Sequence, residues 1–211
     1  MNRSFPRRFR QMKKLIISSA FLALALIWGV KFYNLNHGFK IKDRFPKEYF
    51  SMNEKMDFND NMSYGGGYNK GYSVSLDNAE IVDAEELINN YYSLNAPMIH
   101  YEKCLILTYS ITNDGTAEND MQLLSFPVMG IDWYTSPDMQ LSSKISSELS
   151  GTALSGSGSL TVPKGETIKV RVAYQLFRQN FTPQNWNNLE EQDMWVWATL
   201  SPTDKRIKIE F

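Results

Sequence analysis

Asp57, Asn59 and Asn61 carry side-chain oxygens at alternate positions, the opening spacing of a calcium loop. Such a loop continues with a glycine and, at its twelfth position, a bidentate glutamate. Met62 and Tyr68 stand at those places, so no metal ligands are assigned and a solvated connector is expected. Ser155-Gly-Ser-Gly-Ser159 offers hydroxyl nucleophiles, but the Gly-x-Ser-x-Gly frame fails at Ala153 around Ser155 and at Ser155 and Ser159 around Ser157. The imidazole bases are His37, next to an apolar segment, and His100, at the start of a strand-like run. Gly65-Gly-Gly67 lacks both the Gly-Lys-Ser/Thr ending and the Gly-x-Gly-x-x-Gly frame that cradle phosphate. Glu85-Glu86 and Glu190-Glu191 fall on predicted helices as solvated faces. Catalytic, cofactor-binding and metal residues are therefore all assigned as none, and the chain is expected not to be an enzyme.

Two further features have chemical potential. Cys104 is the one cysteine and lies in the apolar run Cys104-Leu-Ile-Leu, where a small buried hydrophobe is expected rather than a reactive thiol. Asn180-Phe-Thr182 satisfies the glycosylation sequon. Among the aromatics, Trp195 and Trp197 are two apart and must share a strand face, which is expected to be a core face. Trp133, Tyr134 and Trp186 fall in loop or short-helix contexts and are the candidate contact surface.

Charge narrows the partners. The formal net charge is -1, yet residues 1–14 hold six cations and no acid, which leaves about -7 beyond the apolar segment. An acidic surface repels phosphate, so a nucleic-acid partner is not expected for the folded part, nor a nucleotide.

From Leu15 to Val30 the chain has no charged residue. Sixteen residues rise about 24 Å as a helix, and Lys13, Lys14 and Lys31 by snorkelling, with Trp28, Phe32 and Tyr33 at an interface, extend the span toward a bilayer core of about 30 Å. Residues 15–33 are expected to be a transmembrane helix and the lipid bilayer its partner. The competing reading is a cleaved secretory signal, but Ala23-Leu24-Ala25 is followed by Leu26, Ile27 and Trp28 still inside the run. An uncleaved anchor is favoured, with residues 1–14 a basic cytoplasmic tail by the positive-inside rule and the C-terminal domain extracytoplasmic.

The elements that must position these residues are mostly β. Residues 34–71 read as a juxtamembrane connector ending in the glycine-rich Ser63–Gly71. Within it Phe45–Met52 either packs on the domain or lies at the membrane surface. Residues 72–211 form the domain: short β-type runs separated by turn chemistry, the pattern of an antiparallel sandwich of about seven or eight strands. Tyr72, Val74 and Leu76 alternate with polar residues. Leu105, Leu107, Tyr109 and Ile111 make one core face, and Ile168, Val170, Val172 and Tyr174 another. Leu160–Leu176 reads as a hairpin around Pro163-Lys-Gly165. Met121–Ile131 is an apolar stretch that Pro127 and Gly130 break. Two short helices are expected, after the capping box Asp83…Glu86 and after Thr182-Pro183. Ser136–Gly158, rich in Ser, Gly and Thr, reads as loops with a weak strand.

The strand Leu105–Asn113 with its Asp114-Gly115 turn, and the turn Val162-Pro-Lys-Gly-Glu-Thr, resemble uncharacterised Gram-positive membrane-anchored or secreted domains with a telokin-like immunoglobulin fold. That resemblance covers about residues 72–211 and implies an immunoglobulin-like β-sandwich in an extracytoplasmic setting. It transfers no catalytic residue. The expected function is a non-catalytic binding or interaction module that meets a protein or envelope component outside the membrane. The alternatives are an accessory envelope enzyme domain with an unrecognised site, or a cleaved secreted form of the same sandwich.

Overall fold

The alternating run Lys103–Asn113 folds as a strand over those same residues in the computed structural model, which describes residues 7–36, 45–64, 67–90, 101–123, 126–152 and 154–211. His37 and His100 lie outside the described residues. The chain divides into two compact units, Met1–Arg44 and Phe45–Phe211.

In the first unit, helix α1 runs from Arg7 to Asn36. Its window Ile16–Tyr33 has a mean hydropathy of 1.8 and exposed side chains. By length and composition it can cross a membrane, as the apolar run 15–33 led one to expect.

The second unit is mainly β. In chain order it contains β1 (Lys47–Phe50), β2 (Met56–Asp57), β3 (Met62–Ser63), β4 (Tyr72–Asp83), helix α2 (Ala84–Asn90), β5 (Lys103–Asn113), β6 (Met121–Gln122), β7 (Val128–Met129) and β8 (Tyr134–Thr135). There follow helix α3 (Met139–Ser150), β9 (Ser159–Leu160), β10 (Thr167–Leu176), helix α4 (Pro183–Asn187), β11 (Met194–Trp197), β12 (Thr199–Ser201) and β13 (Asp204–Ile209). Two sheets make the sandwich, one ordered β10-β5-β4-β2 and one ordered β1-β13-β11-β7-β8. Two further two-stranded pairs are β12-β3 and β6-β9. Thirteen described strands exceed the seven or eight expected because many are two-residue pieces that carry no periodicity of their own.

The long strands keep their predicted faces. Leu105, Leu107, Tyr109 and Ile111 are fully buried, as are Val170, Val172 and Tyr174 opposite them. From the other sheet Val128, Met194, Val196 and Ile207 fill the same core. The hydroxyls of Tyr109 and Tyr174 bond each other at 3.0 Å, and Tyr174 donates to the Phe126 carbonyl at 3.0 Å. Two phenols thus enter the core without an orphaned group.

Three expectations are corrected. The connector 34–71 does not extend to residue 71. Met56 and Phe58 are fully buried in the core, and β1 pairs in parallel with β13. Their strands are too short to alternate visibly, and the glycines at the end of the stretch imitate a linker. Secondly, Leu160–Leu176 is no hairpin: Glu166 N bonds the Pro163 carbonyl at 3.1 Å and Gly165 takes φ +78°, but β9 pairs with β6 while β10 pairs with β5. The turn is a corner between sheets. Thirdly, the expected loops of 136–158 contain α3. Asp138 caps it by accepting Leu141 N at 3.0 Å, and Gly151 ends it with φ +65°. Leu141 and Ile145, four apart, bury its inner stripe.

Candidate functional site

The sequence singles out Trp133, Tyr134 and Trp186, and the structure separates them. Trp133 and Trp186 are buried, whereas Tyr134 is 63% exposed. Trp133 packs on Phe181 at 4.9 Å, and Phe181 packs on Trp186 at 5.5 Å. Its Nε1 donates to Gln192 Oε1 at 3.3 Å. Thr182 caps α4 from outside, accepting Asn185 N at 3.2 Å, and so turns Trp186 inward. Loop context suggested exposure, but burying a large indole under a short helix gains more than leaving it wet.

Trp195 and Trp197 depart in the opposite sense. They share a face, as their spacing requires, but Met194 and Val196 hold the core side and the two indoles stand half-buried on the outside. Register identifies their neighbours there: Trp195 faces Lys208 and Met129, Trp197 faces Arg206, Arg206 faces Tyr49, and Met129 faces Tyr134. Directly paired residues lie on one side of a sheet, so these side chains form one outer surface.

The rings on it are fixed by their neighbours. Tyr49 meets Trp195 edge to face, with centroids 5.2 Å apart and planes at 63°. Tyr64 lies 5.2 Å from Trp197, and the Arg206 guanidinium sits 4.8 Å over the same indole. Asp204 grips Arg206 from Nε at 3.0 Å and Nη2 at 2.6 Å, a bidentate pair that fixes the plane of the guanidinium. Tyr49 is 56% exposed, and Ile131 at the tip between β7 and β8 is 90% exposed. Sequence reasoning missed this surface because it placed Trp195 and Trp197 in the core. The signal was available in Met194 and Val196, an alternating apolar pair that competes for the inside.

The opposite sheet has no such surface. Helices α2 and α3 pack on it, and Leu87, Leu141 and Ile145 cover Cys104, Ile106 and Ala173. Burial pushes the Cys104 thiol up to about 12, so it is not a nucleophile near neutral pH. Burial likewise raises the Tyr101 phenol beside it. Farther along that sheet, Asp77 accepts from Ser75 at 2.9 Å and Ser110 at 2.5 Å, and pairs with Lys169 at 3.0 Å. Burial works to raise its carboxyl, but the bonds from Ser110, Lys169 and Ser75 together hold it below the ordinary value.

The remaining motif residues are engaged structurally. Asn61 Oδ1 accepts Thr203 N at 3.0 Å and its Nδ2 donates to the Phe58 carbonyl. The buried Lys205 ammonium donates to the Asp57 main-chain carbonyl at 2.6 Å, while the exposed Asp57 carboxylate lies 3.6 Å from the Lys55 ammonium. Ser155 Oγ accepts Ser159 N at 2.9 Å and contacts Ser157 Oγ at 2.8 Å, closing its own turn. Among the described residues no three His, Cys, Asp or Glu side chains gather as metal ligands would. Two surface clefts of about 400 Å³ are lined by Tyr68, Lys70, Thr116, Glu118 and Asn119, and by Tyr101, Glu102, Phe177, Arg178 and Gln179. Neither set pairs a nucleophile with a base and an oxyanion donor.

Three solved structures resemble the chain at low identity. The yjhA protein from Bacillus subtilis aligns with a TM-score of 0.42 and 12% identity over 76% of this chain and 99% of its own. An uncharacterized beta-sandwich protein from Clostridium difficile 630 gives 0.39 and 10%, over 79% and 96%. A functionally unknown protein from Listeria monocytogenes EGD-e gives 0.38 and 12%, over 68% and 72%. No curated protein matches the chain. A family model does match, over residues 47–205, from the first strand of the folded unit into its last, and the chain belongs to that family, the domain of unknown function DUF5028.

Proposed function

We propose that the protein is a non-catalytic binding module displayed outside the membrane on a single N-terminal anchor, one of the Gram-positive membrane-anchored class with a telokin-like immunoglobulin fold. The observation that carries this reading is the outer face of the five-stranded sheet, where Tyr49, Trp195 and Tyr134 form an aromatic surface. Sheets of a sandwich ordinarily turn polar residues outward. Aromatic rings in that position lose water contact when a partner covers them, and the mutual packing of Tyr49 and Trp195 keeps the entropic cost of ordering those two low. The six cations of residues 1–14, ahead of the apolar run, favour retention of the N-terminus in the cytoplasm, which exports the folded unit to meet an envelope component.

The test is site-specific photo-crosslinking in intact cells with the full chain. A photoreactive residue at Tyr134 is expected to give discrete adducts, and one at Lys164, on the exposed corner turn, to give none. Adducts at both positions in equal yield, or at neither, would refute a dedicated binding face. A periplasm-type reporter fused after Phe211 is expected to be active outside the cytoplasm; activity inside would refute the display.

A further inference from the structure

We infer that the outer face of the five-stranded sheet binds an acidic polysaccharide, a ligand class that rests on the binding-module reading above. Three observations point to it. The first is extent: Tyr49 and Tyr134 stand on the two edge strands, β1 and β8, with three strands between them. Four inter-strand steps make a surface about 19 Å wide. A small molecule would cover a fraction of that width, whereas an extended polymer lying across the strands meets Tyr49, Trp195 and Tyr134 in turn.

The second is the kind of contact on offer. The backbone groups of a sheet bond in its plane, so its flat face has no main-chain donors or acceptors with which to hold a peptide strand; that recognition belongs to sheet edges. What the face does offer is ring surface, and the electron-rich face of an indole or phenol suits the C–H faces of sugar rings. Beside the rings lies the planar Arg206–Asp204 pair, a fixed polar group of the sort hydroxyls bond.

The third is charge. From Phe45 onward the chain has twelve cations against twenty-two acids, yet the outward positions of β1 and β13 hold Lys47, Arg206 and Lys208 against Asp204, with Glu210 one residue beyond β13 and Asp193 one residue before β11. Lys208 sits across from Trp195 and belongs to none of the ion pairs formed among the described residues. A cation next to the central ring, on an otherwise acidic unit, complements a carboxylate or sulfate on a sugar. The acidic remainder of the surface repels any polyanion, so an acidic polysaccharide is held by the ring contacts and the local cations of this face together.

The test uses the full chain in nanodiscs on a biolayer sensor, with polygalacturonate, hyaluronate and alginate as probes, dextran as the uncharged polysaccharide and poly-L-glutamate as the sugar-free polyanion. At least one acidic polysaccharide is expected to bind in preference to both controls, more weakly as salt rises. Trp195→Ala and Tyr134→Ala should each lower affinity about tenfold, the scale of one lost ring-stacking contact, while Trp195→Phe keeps most of it and guards against misfolding. Lys208→Gln should weaken binding and flatten its salt dependence. Equal binding of poly-L-glutamate or dextran, no binding of any acidic polysaccharide, or indifference to all these variants would overturn the inference. If the polysaccharides fail while the crosslinks at Tyr134 persist, the ligand class falls and the binding face stands; loss of both removes both.

Discussion

The hydroxyl of Ser142 accepts the amide hydrogen of Ala173 at 2.8 Å and donates its own proton to the Asp138 carbonyl at 2.5 Å. Ala173 lies in β10, the edge strand of its sheet, with β5 on its other side. An uncovered edge is a row of unpaired backbone groups. Here helix α3 takes the place of the missing strand. Asp138 N donates to the Ala173 carbonyl at 2.8 Å, Ser146 Oγ lies 3.4 Å from Arg171 N, and Thr152 and Thr135 donate to the carbonyls of Lys169 and Gln175. The serines that make this segment look like a loop are the groups that let a helix lie against a strand edge.

Removing one of them should therefore cost more than a surface change. Ser142→Ala leaves the buried Ala173 N–H without a partner, and an orphaned buried donor costs about 1–3 kcal/mol. The unfolding free energy from urea titration should fall by that amount, the midpoint dropping with the slope unchanged, and amide exchange at Ala173 should quicken. Ser142→Thr keeps the hydroxyl and should recover most of the loss. An unchanged midpoint in the alanine variant would show that α3 does not protect the edge through this bond.

Asp77 carries an acid-dependent share of stability. It is the extra residue of a bulge, since the β4–β5 register shifts between Leu76 and Asn78, and a bulge re-aims its side chain. The bonds from Ser110, Lys169 and Ser75 hold its folded carboxyl below the ordinary aspartate value of 3.8. The contribution is thus fully present above that unfolded value and disappears as pH falls through the lower folded one. Asp77→Asn should cost about 1.5–3 kcal/mol at pH 7, as hydrogen bonds to a charged group do, and the penalty should shrink as pH falls through the lowered folded value. Denaturant titrations of both proteins from pH 2 to pH 7 check it; parallel curves over that range would exclude the role.

What could be read from the sequence follows the length of each element. In β4, β5 and β10, ten or more residues repeat an alternation that burial enforces, so strand, face and core were all legible. In β1 to β3 the pieces have two to four residues, and no period can be established over so few, which is why Met56 and Phe58 passed for connector. Trp195 and Trp197 failed for another reason. Period two says that they share a face without saying which face is inside, and volume favoured the indoles while the neighbouring Met194 and Val196 took the core. Trp186 reversed in turn, because an N-cap at Thr182 orients a helix that sequence alone left undirected.

Cys104 should be chemically silent in the folded state. Its side chain is fully buried and its thiol is pushed up to about 12, leaving almost no thiolate at pH 8. Labelling with a disulfide reagent at pH 8 is expected to proceed at the rate at which α2 or α3 opens, and rapidly in urea. Fast stoichiometric labelling without denaturant would mean that the helices do not seal this sheet.

Gly130 and Trp133 should be energetically coupled. A Cβ at Gly130 would lie 2.2 Å from the Trp133 indole Nε1 and 2.5 Å from its Cε2, so Gly130→Ala must displace a buried ring and should cost about 1–3 kcal/mol, the usual penalty of overpacking. Trp133→Ala empties the same space and should cost about 3–5 kcal/mol. Trp195→Ala, on the outer face, should cost less than Trp133→Ala because its ring is already half in water. In the Trp133→Ala background the added methyl meets no indole, so Gly130→Ala should become nearly neutral, and the double-mutant cycle should give a coupling on the order of the single Gly130→Ala penalty. Additive costs would mean that Gly130 is required by its backbone and not by the ring that rests on it.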